Sequence, residues 1–229
     1  MSPERKHPAA MARALLALAA AGLLLGGCMS SRLEESRHAA TGIAEGESVV
    51  ILARSYHKGK AAEEKLIDCI NRRVQSGADR LRVAPQQEFV DALFPWLEPR
   101  MAPQSAEALP ALLARPGVAE RIEARGVRYI VWVDGNTEKS SGGGSMGCAI
   151  GPGGGGCLGV TWWEDDASYK ATIWDLQQQS DAGSVNAKVH GTSVIPALII
   201  PLPLIARTQS AACSDMAGQL RHFIAGTDS

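Results

Sequence analysis

Residues 14–27 are an unbroken run of Ala, Leu and Gly that closes on Cys28. No other segment limits the folded chain as much. The run is shorter than the ~20 apolar residues of a spanning helix. It follows a start carrying Arg5, Lys6 and Arg13 against one acid, Glu4. A cationic start, a short apolar centre and small residues at its end have the layout of a secretory signal peptide. On that reading residues 1–27 are removed and take no part in the fold. The rest of the chain is exported to a compartment where disulfides persist.

Leu25-Gly26-Gly27-Cys28 resembles the bacterial lipobox: an aliphatic residue, two small residues, then cysteine. The resemblance implies cleavage before Cys28. It also implies a diacylglycerol on the Cys28 thiol and an acyl chain, of the palmitate type, on the new amino terminus. Two or more chains anchor a protein stably where one does not, so the lipid bilayer is an expected partner. Met29 stands where an Asp would resemble an inner-membrane retention signal. A lipoprotein at the periplasmic face of the outer membrane is therefore expected. No cofactor beyond the covalent lipid is expected. The net charge of −1 offers no basic face to nucleic acid.

Residues 29–46, MSSRLEESRHAATGIAEG, are polar without a sustained period. With Cys28 they read as a lipidated, flexible tether over 28–46, of rms reach roughly 20–25 Å. Residues 47–229 read as a single periplasmic domain. Val49–Leu52 is a short apolar, β-branched run and reads as a buried strand. A helix over 62–76 carries Leu66, Cys69, Ile70 and Val74 on one face. Leu81–Val83 reads as a second strand. Pro85 opens a helix bearing Phe89, Val90, Leu93 and Phe94. Short helical pieces follow at 105–114 and 118–125, then an alternating strand over 127–133. A glycine-rich insertion fills about 140–159. Strands resume at 158–163, 168–175 and 184–191, the last two as a hairpin. A closing helix over 208–225 places Ala212, Cys213, Met216, Leu220 and Phe223 on one face. The fold class is α/β, of the α+β kind. It has a mixed sheet with early β-α-β crossovers, a later antiparallel meander and a closing C-terminal helix, the helices mostly on one face.

The segments "LRVAPQQEFVDAL", "ARGVRYIVWVDG" and "ATIWDLQQQSDAGSVNAKVHG" carry a second resemblance. They look like a periplasmic α/β domain shared by three groups. These are the amino-terminal domain of the Tol-Pal translocation protein, the curli secretion-channel lipoprotein, and the lipoprotein activators of penicillin-binding proteins. Gly126, Tyr129, Gly135, Asp175 and Gly183 match the pattern of those families. The glycine- and cysteine-containing insertion and the Pro-rich stretch 95–116 depart from it. The resemblance implies an assembly, docking or channel-forming component.

Besides Cys28 there are Cys69, Cys148, Cys157 and Cys213. Four cysteines allow three pairings. Short separation favours Cys148 with Cys157. Cys69 and Cys213 then remain, each on the apolar face of a predicted helix, either bridged or as two buried thiols. With no Cys-x-x-Cys and no histidine beside a cysteine, no metal site is expected. Ser55-Tyr56-His57-Lys58 has the Ser-x-x-Lys spacing but lacks its companion motifs. The run 151–156 lacks the Lys-Ser/Thr that a phosphate loop needs. Glu164-Asp165-Asp166 reads as a solvated turn between strands.

Trp162 and Trp163 are adjacent on a strand and so face opposite sides. At most one is core. The other is either a docking point or is covered by the glycine-rich segment. Residues 194–206, VIPALIIPLPLIA, are wholly apolar and hold three prolines. They suit a buried extended segment, a partner surface or a membrane-contacting loop, with Ile199, Ile200 and Leu202 as candidate contacts. The leading expectation is a non-catalytic docking or assembly factor with an envelope protein partner and no catalytic residue assigned. The alternatives are an envelope hydrolase or acyltransferase whose site forms only in three dimensions, and a membrane-contacting or pore-forming subunit using 194–206.

Overall fold

Val49 to Leu52 is apolar at every position, and such a strand needs cover on both sides. The computed structural model describes residues 29–53, 64–98, 100–151, 154–197 and 207–226, with backbone alone at 149–151, 154–158 and 195–197. In it, β2 (Ser48–Ala53) turns Val49 and Ile51 into one core and Val50 and Leu52 into another.

The sheet has five strands in the order β1-β5-β4-β3-β2. β2 lies parallel to β3 (Val127–Gly151). β3, β4 (Gly154–Asp175) and β5 (Ser180–Ala197) form an antiparallel meander. β1 (Met29–Arg37) pairs antiparallel with the outer side of β5. The mixed sheet, the crossover and the closing helix are as the sequence indicates.

Helices cover both faces. On the first, α1 (Glu64–Val74) and α5 (Thr208–Ala225) pack on Tyr129, Val131, Val133, Tyr169, Ala171, Ile173, Val185, Ala187 and Val189. On the second lie α2 (Gln86–Ala92), a 3-10 turn at Ala106–Ala108, α3 (Leu109–Leu113) and α4 (Val118–Glu123). Their apolar residues meet Val50, Leu52, Ile130, Trp132 and Trp174. Trp132 and Trp174 pack edge to face at 5.5 Å. Large side chains on that side of the sheet need cover, each worth about 1.5–3 kcal/mol when buried. This corrects the expectation of helices mostly on one face.

Three further expectations are corrected. Residues 29–37 form strand β1 instead of the start of a tether. Their polar side chains are anchored on α5: Ser31 donates to Asp215, Gln219 to Glu35, and Arg37 to the Phe223 carbonyl at 3.1 Å. An exposed edge strand with its backbone paired on one side needs few apolar residues. Leu81–Val83 yields only a parallel bridge between Val83 and Val49, held by Val49 N to Arg82 O at 2.9 Å and Ala84 N to Val49 O at 2.8 Å. The backbone of the glycine-rich insertion continues β3 and β4 as one long hairpin, with residues 152–153 outside the described set. Glu164, Asp165 and Asp166 therefore sit inside β4, paired across to Ser141, Lys139 and Glu138.

Gly135 lies in β3 opposite Tyr169, two residues past the last residue paired with β2. Its φ of +120° suits glycine, and an added Cβ would stand 2.1 Å from the Ser168 carbonyl oxygen.

The bridge between Cys69 on α1 and Cys213 on α5 is present, with its Cα atoms 6.2 Å apart. It ties the two helices of the first layer across 144 residues of sequence.

Candidate functional site

Strand length decides where the molecule is unusual. β2 stops at Ala53 opposite Val133, and β1 stops at Met29 opposite Gly191. β3 and β4 run on to Gly151 and Gly154, with β5 beside them to Ala197. The result is a three-stranded arm extending beyond the helical layers.

The base of the arm is a charged row. Glu138, Asp166, His190 and Ser30 stand abreast on four strands, followed by Lys139, Asp165, Gly191 and Met29. His190 Nδ1 lies 2.5 Å from Asp166 Oδ1, and both side chains are 46% exposed. That hydrogen bond to Asp166 holds the imidazole above its ordinary pKa. The Asp166 carboxyl is held below its ordinary value, first by a hydrogen bond from Ser140 and then by His190. Ser141 donates to Glu164. The pair lies on open sheet, outside a cavity of about 560 Å³ lined by Ile43, Gly46, Gln75, Arg80, Leu81 and Arg82.

Past this row the character changes at once. Residues 142–163 contain no Asp, Glu, Lys or Arg. Trp163 and Trp162 are the first side chains of that zone on β4, and they face opposite sides of the arm. Trp163 Nε1 donates to Asp165 Oδ2 at 2.9 Å, and Lys139 Nζ stands 5.3 Å from the centre of its ring. Trp162 is 38% exposed and Val160, on the same face, 39%. Met146, on the other face, is 73% exposed. Gly142 and Gly144 have steric reasons to be glycine. An added Cβ would come within 3.1 Å of the Trp162 carbonyl oxygen or 3.0 Å of that of Val160.

The two candidate tryptophans are thus brought together at the root of the apolar arm. Neither is fully buried. Cys148 lies directly opposite Cys157 in the register and is disulfide-bonded. Of residues 194–206, only 194–197 are described, as the end of β5 opposite residues 159–162. Ile199, Ile200 and Leu202 lie outside the described residues, as do Cys28, His57 and the Ser55–Lys58 motif. The arm itself escaped sequence reading. Its signal was available in the alternation Met146-x-Cys148-x-Ile150 and Leu158-x-Val160-x-Trp162.

At the far end of the sheet a second polar cluster is structural. Arg128 bonds Asp175 at 3.1 Å and Glu47 at 3.4 Å. Asp175, 1% exposed, also accepts the backbone N–H groups of Gln177 and Gln178 at 2.8 and 3.0 Å, fixing the β4–β5 turn. Tyr129 bridges the sheet to the segment after β1, donating to the Gly42 carbonyl at 2.8 Å. Burial pushes its phenol upward in pKa.

Among the described residues, no group of three or more His, Cys, Asp or Glu is placed to hold a metal ion. No described helix is long and apolar enough to cross a membrane. No family model matches the chain, and no curated protein matches it. Among solved structures, the chain is similar to a PelC dodecamer from Paraburkholderia phytofirmans, at a TM-score of 0.39 and 13% identity over 87% of this chain and 99% of that one. A second PelC dodecamer from that organism gives 0.39 and 14% over 86% and 99%.

Proposed function

We propose that this chain is a lipid-anchored envelope protein, held at the periplasmic face of the outer membrane through Cys28, with a non-catalytic docking or assembly role. The arm is the observation that supports a docking role. It exposes Met146, Val160 and Trp162 beyond the helical body, on a segment without charge. Exposed apolar surface rimmed by polar residues marks an interaction site. The same absence of charge favours a second reading, in which the arm contacts the membrane itself.

Crosslinking in intact cells, followed by identification of the attached protein, tests the docking role. Val160→Asp and Trp162→Ala should abolish the adduct while leaving thermal unfolding of the body unchanged. Adducts that persist in both variants would exclude the arm as the docking surface. Replacing Cys28 with Ser should release the protein from membranes.

A further inference from the structure

The disulfides among the described residues differ in access. The Cys69–Cys213 bond joins α1 and α5 in the first helical layer. Cys213 is fully buried there, and Cys69 packs against the same core. Cys148 is disulfide-bonded too, but it stands exposed on β3, beyond the helical layers and directly opposite Cys157. Thiol–disulfide exchange begins when a thiolate reaches a sulfur, so access decides which bond reacts. A reductant of Cys69–Cys213 must wait for the helix pair to open.

The neighbours of Cys148 give it little cover. Gly147 beside it has open space where a Cβ would stand, and Met146 is 73% exposed. The next residues outward, Ala149 to Gly151, face only Gly156, Gly155 and Gly154. Charge along the arm does not oppose a thiolate either. Residues 142–163 hold no Asp, Glu, Lys or Arg. Glu164, the first acid of β4 beyond that zone, faces Ser141, seven residues from Cys148 on β3. At roughly 3.3 Å per residue that is about 23 Å, well beyond the ~8 Å Debye length of physiological salt.

We propose that the disulfide at Cys148 is an exchange site for a dithiol protein, and that its redox state sets the register of the arm. One thiolate of the dithiol attacks a sulfur of this bond. The S–S bond breaks, a mixed disulfide forms, and the displaced protein thiolate takes a proton. The second thiol of the dithiol then loses its proton and displaces the other protein sulfur, which is protonated in turn. The dithiol leaves oxidised to a disulfide, and the chain keeps two thiols. Glycine-rich strands specify register weakly, and a slip of one residue exchanges faces. Reduction therefore lifts the constraint that keeps Met146 on the face opposite Val160 and Trp162. What this does to docking rests on the proposed function; the exchange itself does not.

The test uses the full chain, processed in cells and purified folded in detergent, with reduced thioredoxin as the dithiol. Samples taken over time are alkylated with iodoacetamide. Mass spectrometry of the peptides holding residues 69, 148 and 213 reads the freed thiols. Alkylation at Cys148 roughly tenfold or more faster than at Cys69 and Cys213 is expected. Equal rates, or earlier labelling at Cys69 and Cys213, overturn the exchange site. Deuterium exchange then compares amides 154–163 with amides 167–175 before and after reduction. The arm amides should exchange about fivefold or more faster once reduced, with 167–175 unchanged. Arm exchange that does not alter overturns the control of register. Both measurements use the isolated chain, so failure of the docking role changes neither.

Discussion

The Cys69–Cys213 bridge closes a span of 144 residues, and its removal has a magnitude that follows from that length. The chain-entropy relation gives about 5 kcal/mol at 25 °C for a loop of this size, an upper value, with measured losses of roughly 2–5 kcal/mol. Cys213 is fully buried, so Cys69→Ala/Cys213→Ala also leaves a small void, about 1 kcal/mol more. The expected total is a loss of about 3–6 kcal/mol out of the ~5–15 kcal/mol typical of a domain. Guanidinium chloride unfolding followed by circular dichroism and tryptophan emission reads it. The midpoint should fall. The slope should rise, because the unbridged unfolded chain is more expanded and exposes more surface. A loss under about 1 kcal/mol with an unchanged slope would refute the view that this bridge constrains the unfolded chain.

Asp175→Ala should cost about 2–4 kcal/mol by urea unfolding, since it strands two turn N–H groups and leaves Arg128 with Glu47 alone. Gly135→Ala should cost more than about 2 kcal/mol, because its Cβ would meet the Ser168 carbonyl oxygen at 2.1 Å. Gly147→Ala, with nothing within 4 Å, should change stability by less than about 0.5 kcal/mol. His190 should titrate above its ordinary ~6.5 in NMR, and Asp166→Asn should return it toward that value. With a raised folded pKa, the His190 contribution is present below about 6.5 and is lost as pH rises through the folded midpoint. With a lowered one, that of Asp166 is present above about 3.9 and is lost as pH falls through its folded value. The pair is therefore complete between those limits. At 46% exposure on each side, salt should weaken it.

What was legible in the sequence was whatever the core writes into it. α5 over Thr208–Ala225 has the bounds its periodicity predicts. Tyr169, Ala171 and Ile173 share a buried face with Val185, Ala187 and Val189. Cys69 and Cys213, both placed on apolar helix faces, are bridged. Two of the failures share one cause. β1 and the arm are ordered by backbone pairing, which leaves little trace in side-chain hydrophobicity. MSSRLEESR reads as a tether because only Met29 and Leu33 are apolar, and they stay 48% and 40% exposed. The arm reads as a loop because glycine conceals its period of two. The second helical layer was underestimated for another reason. Its helices are short, from five to seven residues, too brief for a 3.6-residue period to declare a buried face.

The register of the arm links its least regular point to its cysteines. Up to Lys139–Asp165, each pair of facing residues on β3 and β4 has numbers summing to 304; from Ser141–Glu164 outward the sum is 305. One residue, Ser140, is therefore extra on β3, as in a β-bulge. In the inner register Cys148 would face Gly156. In the shifted one it faces Cys157. Without the bulge the two cysteines would also lie on opposite faces of the hairpin, because a one-residue slip exchanges faces. Glycine-rich strands are poorly specified in register for the same reason that they tolerate close backbone approach. A disulfide at Cys148 removes that freedom where side chains cannot. The bulge, the bonded Cys148 and the glycines then form one device. Glycine lets the strands approach, the bulge sets which residues face each other, and the cysteine fixes that choice. The device also holds Met146 on one face and Val160 and Trp162 on the other, the two-sided apolar character on which contact by the arm depends.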